Sequence, residues 1–211
     1  MSYLKPVFNV AAKLNLGAKR AKGQLLLLLN DDVEVIEPSW IERLVEQFEK
    51  PHIGAAGAKL LYPDGRIQHA GVVTNYGNPD HVCRYASGDD AGYFYSTCAA
   101  HNFSAVTGAC VMTRTDLYAK VGGFSEELAV SFNDVDYCFK VRKSGFDVVY
   151  APQAVLTHME SVSQIPSLDM SELVWFTNRW ASELIRDPYY NERFLGIAPP
   201  TFEPTVNDRV F

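Results

Sequence analysis

The chain has 211 residues and an ordinary globular composition, with 47% hydrophobic and 21% charged residues, so it can form one domain with a substantial core, or one domain and a small appendage. Its formal net charge of −6 argues against a general nucleic-acid-binding protein, because neutralising phosphates requires a clustered basic surface. The sequence has no signal-peptide pattern at its beginning and no apolar run near the ~20 residues that span a bilayer. Its four widely spaced cysteines form no CxxC pair and indicate reduced thiols of a cytosolic protein rather than disulfides or a zinc site.

The hydrophobic pattern predicts alternating helices and strands along the first quarter of the chain. Residues 11–22 place their apolar side chains on one helical stripe, and Gly23 follows as a stop. The five leucines Leu25–Leu29 are too few for a core helix and predict a strand covered on both faces, as in a parallel sheet. A second amphipathic helix is predicted within residues 37–50, with Pro38 in its first turn.

The rest of the chain continues this alternation around one long loop. In chain order we predict a strand at 52–62, a turn at 63–66, a strand at 67–74, a functional loop at 76–102, a strand at 104–114, a short helix at 115–120, a helix capped by Asn133 and ending at Gly145, one or two short strands at 147–158 and an amphipathic helix at 171–186. Strands that alternate with helices predict an α/β three-layer sandwich. We expect residues 1–195 to form this domain and residues 196–211 to form an extended, Pro-rich tail.

Two adjacent carboxylates, Asp31 and Asp32, directly follow the predicted leucine strand. In an open α/β sheet, ligands bind just beyond the carboxyl ends of the strands. Neighbouring carboxylates there raise each other's proton affinity unless a positive charge lies between them or their ligand. A hard divalent cation such as Mg²⁺ or Mn²⁺, which takes oxygen ligands, would resolve this conflict. The alternative is that both side chains only cap the loop before Pro38.

Further candidates lie near the predicted helix at 133 and at the end of the predicted strand at 147–158. Asp134 falls in the first helical turn, where the helix dipole favours an anion, so a capping role is the alternative to a catalytic one. Asp136 is two residues further on and points elsewhere on the helix. His158 ends its strand, and a lone histidine is more often a structural residue than a ligand. The same alternative applies to His69.

Five segments resemble, in their order and spacing, the family 2 glycosyltransferases, which have the GT-A fold and use nucleotide-sugar donors. They are "FNVAAKLNLGAKRAKGQLLLLLNDDVEV", "GAAGAKLLYPDGRIQHAGVV", "AVTGACVMTR", "VGGFSEELAVSFNDVDYCFKVRKSGF" and "LTHMESVS". The late stretch "RWASELIRDPYYNERF" resembles the end of a bacterial subgroup associated with rhamnan and O-antigen polysaccharides. The resemblance covers residues 7–195 and implies an N-terminally truncated GT-A domain, since the strand–helix–strand unit with which family members begin has no counterpart in this sequence.

The resemblance implies a role for each matching position. Asp134 matches the family's general base, with Asn133 standing where glutamate is commoner. Asp32, with Asp31 beside it, matches the acidic motif that holds the cation and the donor diphosphate, and His158 matches a histidine close to that diphosphate. The positions implied to form the metal site are therefore Asp31, Asp32 and His158. The positions implied to bind the nucleotide-sugar are Lys13, Asn15, Asn30, Asp31 and Asp32. The positions implied to line the acceptor site are Thr107, Gly108, Ala109 and Asn133.

The activity implied by the resemblance is inverting transfer of a sugar from a nucleotide-diphosphate donor to a saccharide or lipid-linked saccharide acceptor in cell-surface polysaccharide synthesis. The implied cofactor is Mg²⁺ or Mn²⁺. The implied location is the cytoplasm, which includes peripheral association at the inner face of the membrane as an option. Loss of the front unit would leave sheet edges exposed and favour homo-oligomers. Two alternatives are a non-catalytic remnant that binds saccharide or protein, and a metal-dependent hydrolase or nucleotidyltransferase.

Overall fold

A computed structural model describes residues 8–75, 77–159, 169–194 and 198–202 of the chain. The α-helices of this part are α1 (Val10–Ala18), α2 (Trp40–Val45), α3 (Thr115–Lys120), α4 (Asn133–Lys143) and α5 (Met170–Ile185). The strands of this part are β1 (Leu25–Leu29), β2 (Val33–Val35), β3 (Ile53–Leu61), β4 (Ile67–His69), β5 (Val72–Asn75), β6 (Asn78–His81), β7 (His101–Asn102), β8 (Cys110–Arg114) and β9 (Asp147–His158). None of the helices in the described ranges is long and apolar enough to cross a membrane.

One mixed sheet organises the described residues. Its continuous path is β1-β8-β3-β9-β2, with β4 added to β3 and β7 added to β9, while β5 and β6 form a separate hairpin. Strands β3 and β9 are parallel, and the other pairs of the large sheet are antiparallel. Therefore β1, β3 and β9 run in the same direction and β8 runs against them. The carboxyl ends of β1 and β9 consequently share one edge with the start of β8.

Helices cover both faces of this sheet. Helix α2 packs on one face through Trp40 and Leu44, and α1, α3, α4 and α5 pack on the other. Gly54 of β3 allows α4 to approach closely, since a Cβ there would lie 2.7 Å from side-chain atoms of Val141 and Phe146. This arrangement confirms the predicted α/β/α three-layer fold.

Strand β1 departs from the predicted parallel surroundings. It pairs antiparallel with β8 and lies at the end of the sheet path. Both faces of β1 are nevertheless packed against other elements. Leu26 and Leu28 join the core under the four-helix layer, while Leu25 and Leu27 pack toward α2. Five consecutive leucines can therefore serve an antiparallel strand at the end of a sheet whose two faces are both covered.

Other boundaries differ from the sequence-based expectation. The strand expected at 104–114 begins only at Cys110, and the strands expected at 147–158 are one continuous strand. Helix α4 is preceded by Phe132 in the left-handed conformation (φ 60°), so Asn133 is its first helical residue rather than its cap. The tail prediction for 196–211 lies outside the described residues except at 198–202 and stays a prediction.

Candidate active site

The sheet pairing brings Asp32 and His158 together at the shared edge. Val33, which begins β2, is paired with His158 at the end of β9. The N–H of Met159 donates to the carbonyl oxygen of Asp32 at 3.0 Å, which fixes the backbone on both sides of the pair. As a result, Asp32 Oδ1 lies 3.0 Å from His158 Nε2.

The imidazole of His158 is held from two sides. Its Nδ1 lies 2.7 Å from Oε1 of Gln68, which is buried in β4. Its Nε2 lies 3.2 Å from Nδ2 of Asn30, the residue that follows β1. The side chain of His158 is only 12% exposed, so its ring has little freedom to turn away from Asp32.

Asp32 and His158 fit a divalent cation. Asp32 Oδ1 is buried and has no hydrogen-bond partner among the described residues, although buried carboxylate oxygens are normally paired. Ligand–metal distances of about 2.1 Å at right angles place neighbouring ligand atoms roughly 3 Å apart, which agrees with the observed separation. In the described part of the chain no group of three or more His, Cys, Asp or Glu side chains could hold a metal. The pair would therefore supply two positions and leave the others to substrate oxygens and water, while Asp31 is exposed on the same loop.

Asp134 lies at the start of α4 with both carboxylate oxygens hydrogen-bonded to backbone. Its Oδ2 accepts from the N–H of Gly108 at 2.8 Å, and its Oδ1 accepts from the N–H of Val135 at 2.9 Å. Burial raises the pKa of this carboxyl group above its ordinary value, and the two N–H donors oppose that rise. A carboxyl group with a raised pKa is suited to accept a proton, although its contact with Val135 also suits a helix cap.

The segment Thr107, Gly108 and Ala109 connects the two carboxylate centres. The carbonyl oxygen of Ala109 accepts from the N–H of Asn30 at 2.9 Å, on the side of the acidic loop. Gly108 contacts Asp134, and its missing Cβ allows the approach, because an added Cβ would lie 3.2 Å from the Cβ of Asp134. The segment at 107–109 is therefore hydrogen-bonded both to Asp134 and to Asn30, which lies two residues before Asp32.

A pair of buried histidines supports this segment from behind. The N–H of Thr107 donates to Nε2 of His69 at 3.4 Å, and Nδ1 of His69 lies 3.0 Å from Nδ1 of His81. Burial lowers the pKa of His81 to about 4, with Arg84 and His158 adding to the effect, and burial lowers the pKa of His69 as well. Both rings are therefore neutral near pH 7. Their hydrogen bonds connect β4 to β6 and to the segment at 107–109.

The remaining predicted site residues occupy different surroundings. Asn15 accepts at Oδ1 from Tyr118 Oη and the N–H of Phe124, and it donates from Nδ2 to Phe124 O and Glu126 Oε1, so its amide ties α1 to the loop after α3. Lys13 is exposed on α1, with Nζ 5.3 Å from the ring centroid of Phe8. Asn133 is buried and donates to the carbonyl oxygen of Val130. The nucleotide and acceptor roles of these residues stay predictions.

Asp136 points away from the site, as its spacing from Asp134 predicts. Its fully buried carboxylate accepts from Trp180 Nε1 at 2.9 Å and Ser125 Oγ at 2.8 Å, and it pairs with Lys140 at 2.8 Å and Arg179 at 3.3 Å. This network fastens α4 to α5 and to the loop before α4. It therefore anchors the helix whose first turn carries Asp134.

The sequence pattern does not identify Gln68 and assigns no role to His81. The available signal was the polar dipeptide Gln68–His69 between apolar residues of a predicted strand, since buried polar residues in a strand must find partners. Those partners come from β9, β6 and the segment at 107–109, which are far away in sequence. The pattern alone therefore did not identify them.

Comparison with known proteins places the chain in a family. Residues 3–182 match the model of the glycosyltransferase like family 2, and the chain belongs to this family. It is 40% identical over 193 residues to the uncharacterized protein y4gI of Sinorhizobium fredii (strain NBRC 101917 / NGR234), and this alignment covers 87% of this chain and 21% of that protein. It is 39% identical over 192 residues to the O-antigen biosynthesis protein RfbC of Myxococcus xanthus, covering 87% of this chain and 15% of that protein. The chain thus spans about a fifth or less of the length of these curated relatives.

A solved glycosyltransferase has the same fold. The crystal structure of GalNAc-T7 with UDP, GalNAc and Mn²⁺ matches with a TM-score of 0.62 and 14% identity, covering 82% of this chain and 35% of that one. At this identity the match establishes the fold and not the substrates. The fold of the chain is therefore GT-A, as the sequence resemblance implied.

Proposed function

We propose that this chain is the catalytic part of an inverting glycosyltransferase that transfers a sugar from a nucleoside-diphosphate donor to a saccharide or lipid-linked saccharide acceptor. The observation that carries the proposal is the buried Asp32 Oδ1, which has no hydrogen bond to any described residue and lies 3.0 Å from His158 Nε2 at the edge of the sheet. Family membership and the relative named for O-antigen biosynthesis support synthesis of a cell-surface polysaccharide. Cytoplasmic location, with peripheral contact to the inner face of the membrane, belongs to the same proposal.

Asp32 and His158 would hold a divalent cation, Mg²⁺ or Mn²⁺, with Asp31 close by on the same loop. The structural neighbour GalNAc-T7, crystallised with UDP and Mn²⁺, supports a cation of this kind in a GT-A fold. When bound, the cation would supply positive charge that offsets the negative charge developing on the leaving diphosphate. Asn30 Nδ2 would occupy the lone pair of Nε2 when no cation is bound and would release it on cation binding.

Asp134 would act as the general base. A sugar hydroxyl is a poor nucleophile, so Asp134 takes its proton while the hydroxyl oxygen attacks the anomeric carbon; such catalysis contributes about 10²–10⁴-fold. The new C–O bond forms as the bond to the diphosphate breaks, and the electron pair leaves with the nucleoside diphosphate. This single displacement inverts the anomeric centre. The backbone at 107–109, which holds Asp134 through Gly108, would form the floor beneath the acceptor.

The first experiment measures binding of UDP, dTDP and GDP to the purified chain by calorimetry, with and without Mn²⁺. We expect Mn²⁺ to strengthen the binding of at least one nucleotide and Asp32→Asn to abolish that gain. Glu34→Gln removes an exposed carboxylate two residues away and should keep the gain, while Asp31→Asn tells whether the neighbouring carboxylate shares the cation.

Two results would overturn the proposal. If a folded wild-type chain binds none of the three nucleotides, the chain is better interpreted as a non-catalytic remnant. If Asp32→Asn keeps the full Mn²⁺-dependent gain, Asp32 is not the metal ligand. Release of free sugar or pyrophosphate from donors without an acceptor would instead favour a hydrolase or nucleotidyltransferase.

A further inference from the structure

Gln68 makes two contacts with one residue, His158. Its Oε1 lies 2.7 Å from Nδ1 of the imidazole, and its Nε2 donates to the backbone carbonyl oxygen of His158 at 3.4 Å. Gln68 is 6% exposed and sits in β4, which reaches β9 because both strands pair with β3. The two contacts together form a clasp between Gln68 and the end of β9.

The clasp determines which ring nitrogen carries the proton. A backbone carbonyl oxygen can only accept, so the end of the amide that faces it must be the NH₂ group. The other end, which faces Nδ1, must then be the carbonyl oxygen, and a carbonyl oxygen requires Nδ1 to be protonated. In the neutral ring, the single lone pair of Nε2 consequently accepts from Asn30 Nδ2, and no proton on Nε2 faces Asp32 Oδ1.

We propose that Gln68 is a positioning residue that holds His158 in the Nδ1–H tautomer and thereby keeps Nε2 and Asp32 Oδ1 as two unprotonated acceptors for a divalent cation, with Asn30 Nδ2 releasing Nε2 when the cation binds. This inference rests on the proposed function. It accounts for the absence of a hydrogen bond between Asp32 Oδ1 and Nε2, which lie 3.0 Å apart, and among the described residues Asp32 Oδ1 has no other partner. Residues that orient a ligating histidine in this way typically change metal affinity by about 10–100-fold.

The Nε2–H tautomer of His158 would compete with cation binding. Without the acceptor at Gln68, the Nδ1–H tautomer loses its buried partner, and the proton is better placed on Nε2, where it can bond to Asp32 Oδ1. That hydrogen bond satisfies both groups and competes with the cation. Replacing Gln68 by leucine is therefore expected to weaken cation binding without removing either ligand.

The test combines a spectroscopic and a binding measurement on the 211-residue chain. Long-range ¹⁵N–¹H correlation spectra at pH 8 in the presence of chelator report the His158 tautomer, with His158→Gln used to assign its signals. Titration with Mn²⁺ alone, followed by electron paramagnetic resonance, reports cation affinity. We expect Nδ1–H in the wild type, and in Gln68→Leu a shift toward Nε2–H with affinity about 10–100-fold weaker.

Two further variants separate this role from general packing. Gln68→Glu keeps an acceptor opposite Nδ1, so it should retain the Nδ1–H tautomer and bind Mn²⁺ far better than Gln68→Leu. Gln153→Leu changes an exposed glutamine on β9, the strand that carries His158, and should alter neither measurement.

The outcomes distinguish this inference from the proposed function. An Nε2–H tautomer in the wild type overturns the inference even if Gln68→Leu does not fold. Equal Mn²⁺ affinity in the wild type and a folded Gln68→Leu also overturns it, while leaving the metal site intact. If the wild type does not bind Mn²⁺, this inference is overturned and the cation role in the proposed function fails with it, whereas nucleotide binding and sugar transfer are decided by their own measurements.

Discussion

At the scale of single residues, Asp134 combines features that oppose one another. Burial disfavours its charged form, whereas N–H donors from Gly108 and Val135 favour it, and the net result is a raised pKa. A carboxylate that only caps a helix has no need of the contact from Gly108, which comes from a segment 26 residues earlier in the chain. This second contact connects Asp134 to the segment at 107–109, which is the proposed floor of the acceptor site, and a helix cap does not account for it.

Replacing Asp134 by asparagine should lower kcat for sugar transfer by about 10²–10⁴-fold, because the acceptor hydroxyl loses its general base. The base must be ionised, so the wild-type rate should rise with pH through the raised pKa of Asp134 and then level off; the variant should lack this rise. Both are measured as pH–rate profiles with a donor and acceptor identified by screening. Mn²⁺-dependent nucleotide binding should persist in the variant.

Asp116 offers a matched control for the capping role. It lies in the first turn of α3, where its Oδ1 accepts from the N–H of Leu117 at 2.8 Å, the same local contact that Asp134 makes with Val135. Asp116→Asn should leave the pH–rate profile unchanged. Equal losses of kcat in the two variants would mean that Asp134 acts only through the stability of its helix.

At the scale of elements, strand β4 joins two parts of the site through adjacent side chains. Gln68 reaches His158 at the end of β9, while His69 reaches Thr107 and the β5–β6 hairpin through His81. The His69–His81 contact needs one N–H donor and one acceptor, so it requires neutral rings. Protonation of either ring would place an uncompensated charge in a buried site next to Arg84.

The stability of the chain should therefore fall as pH falls from about 6.5 toward 4. Over this range the unfolded state binds protons at His81 that the folded state excludes, so the free energy of unfolding decreases with decreasing pH. A lowering of the pKa to about 4 corresponds to a loss of roughly 3 kcal/mol by pH 4 for His81. His81→Asn keeps an acceptor for His69 and removes the titrating group, so its urea-unfolding free energies should vary less between pH 7 and 4.

His52 provides the control for this measurement, because its side chain is 57% exposed. His52→Asn should preserve the wild-type dependence on pH. A slope in His81→Asn equal to that of the wild type would show that the histidine pair does not cause the acid sensitivity.

The elements also show which parts of the site the sequence could predict. Asp32 and Asp134 were predictable because each follows a local signal, the end of an apolar strand or the start of a helix. The clasp at Gln68 was not, since it depends on β4 and β9 meeting through β3, with Leu61 paired to Thr157. The left-handed backbone conformation of Phe132 could not be predicted from the sequence either, because glycine and asparagine are the residues that usually adopt this conformation.

At the scale of the whole molecule, the sheet ends on an open strand. Within the described residues β1 pairs only with β8, so its other edge has no strand partner. Near this edge an open groove is lined by Leu25, Val45, Phe48 and Arg114, and Leu29 and Val45 are 41% and 42% exposed. An apolar strand with a free edge is a template for pairing with another chain.

We therefore expect the 211-residue chain to self-associate through β1. Leu29→Lys places a charge on the edge strand at a side chain that is already exposed, so it should reduce association with little cost in packing. Sedimentation velocity over a concentration series measures the effect. Ile185→Lys is the matched control, since Ile185 is 85% exposed on α5 and its replacement removes exposed apolar surface without touching β1. If both variants reduce association equally, general surface hydrophobicity drives it; if the wild type is monomeric throughout the series, the expectation is wrong.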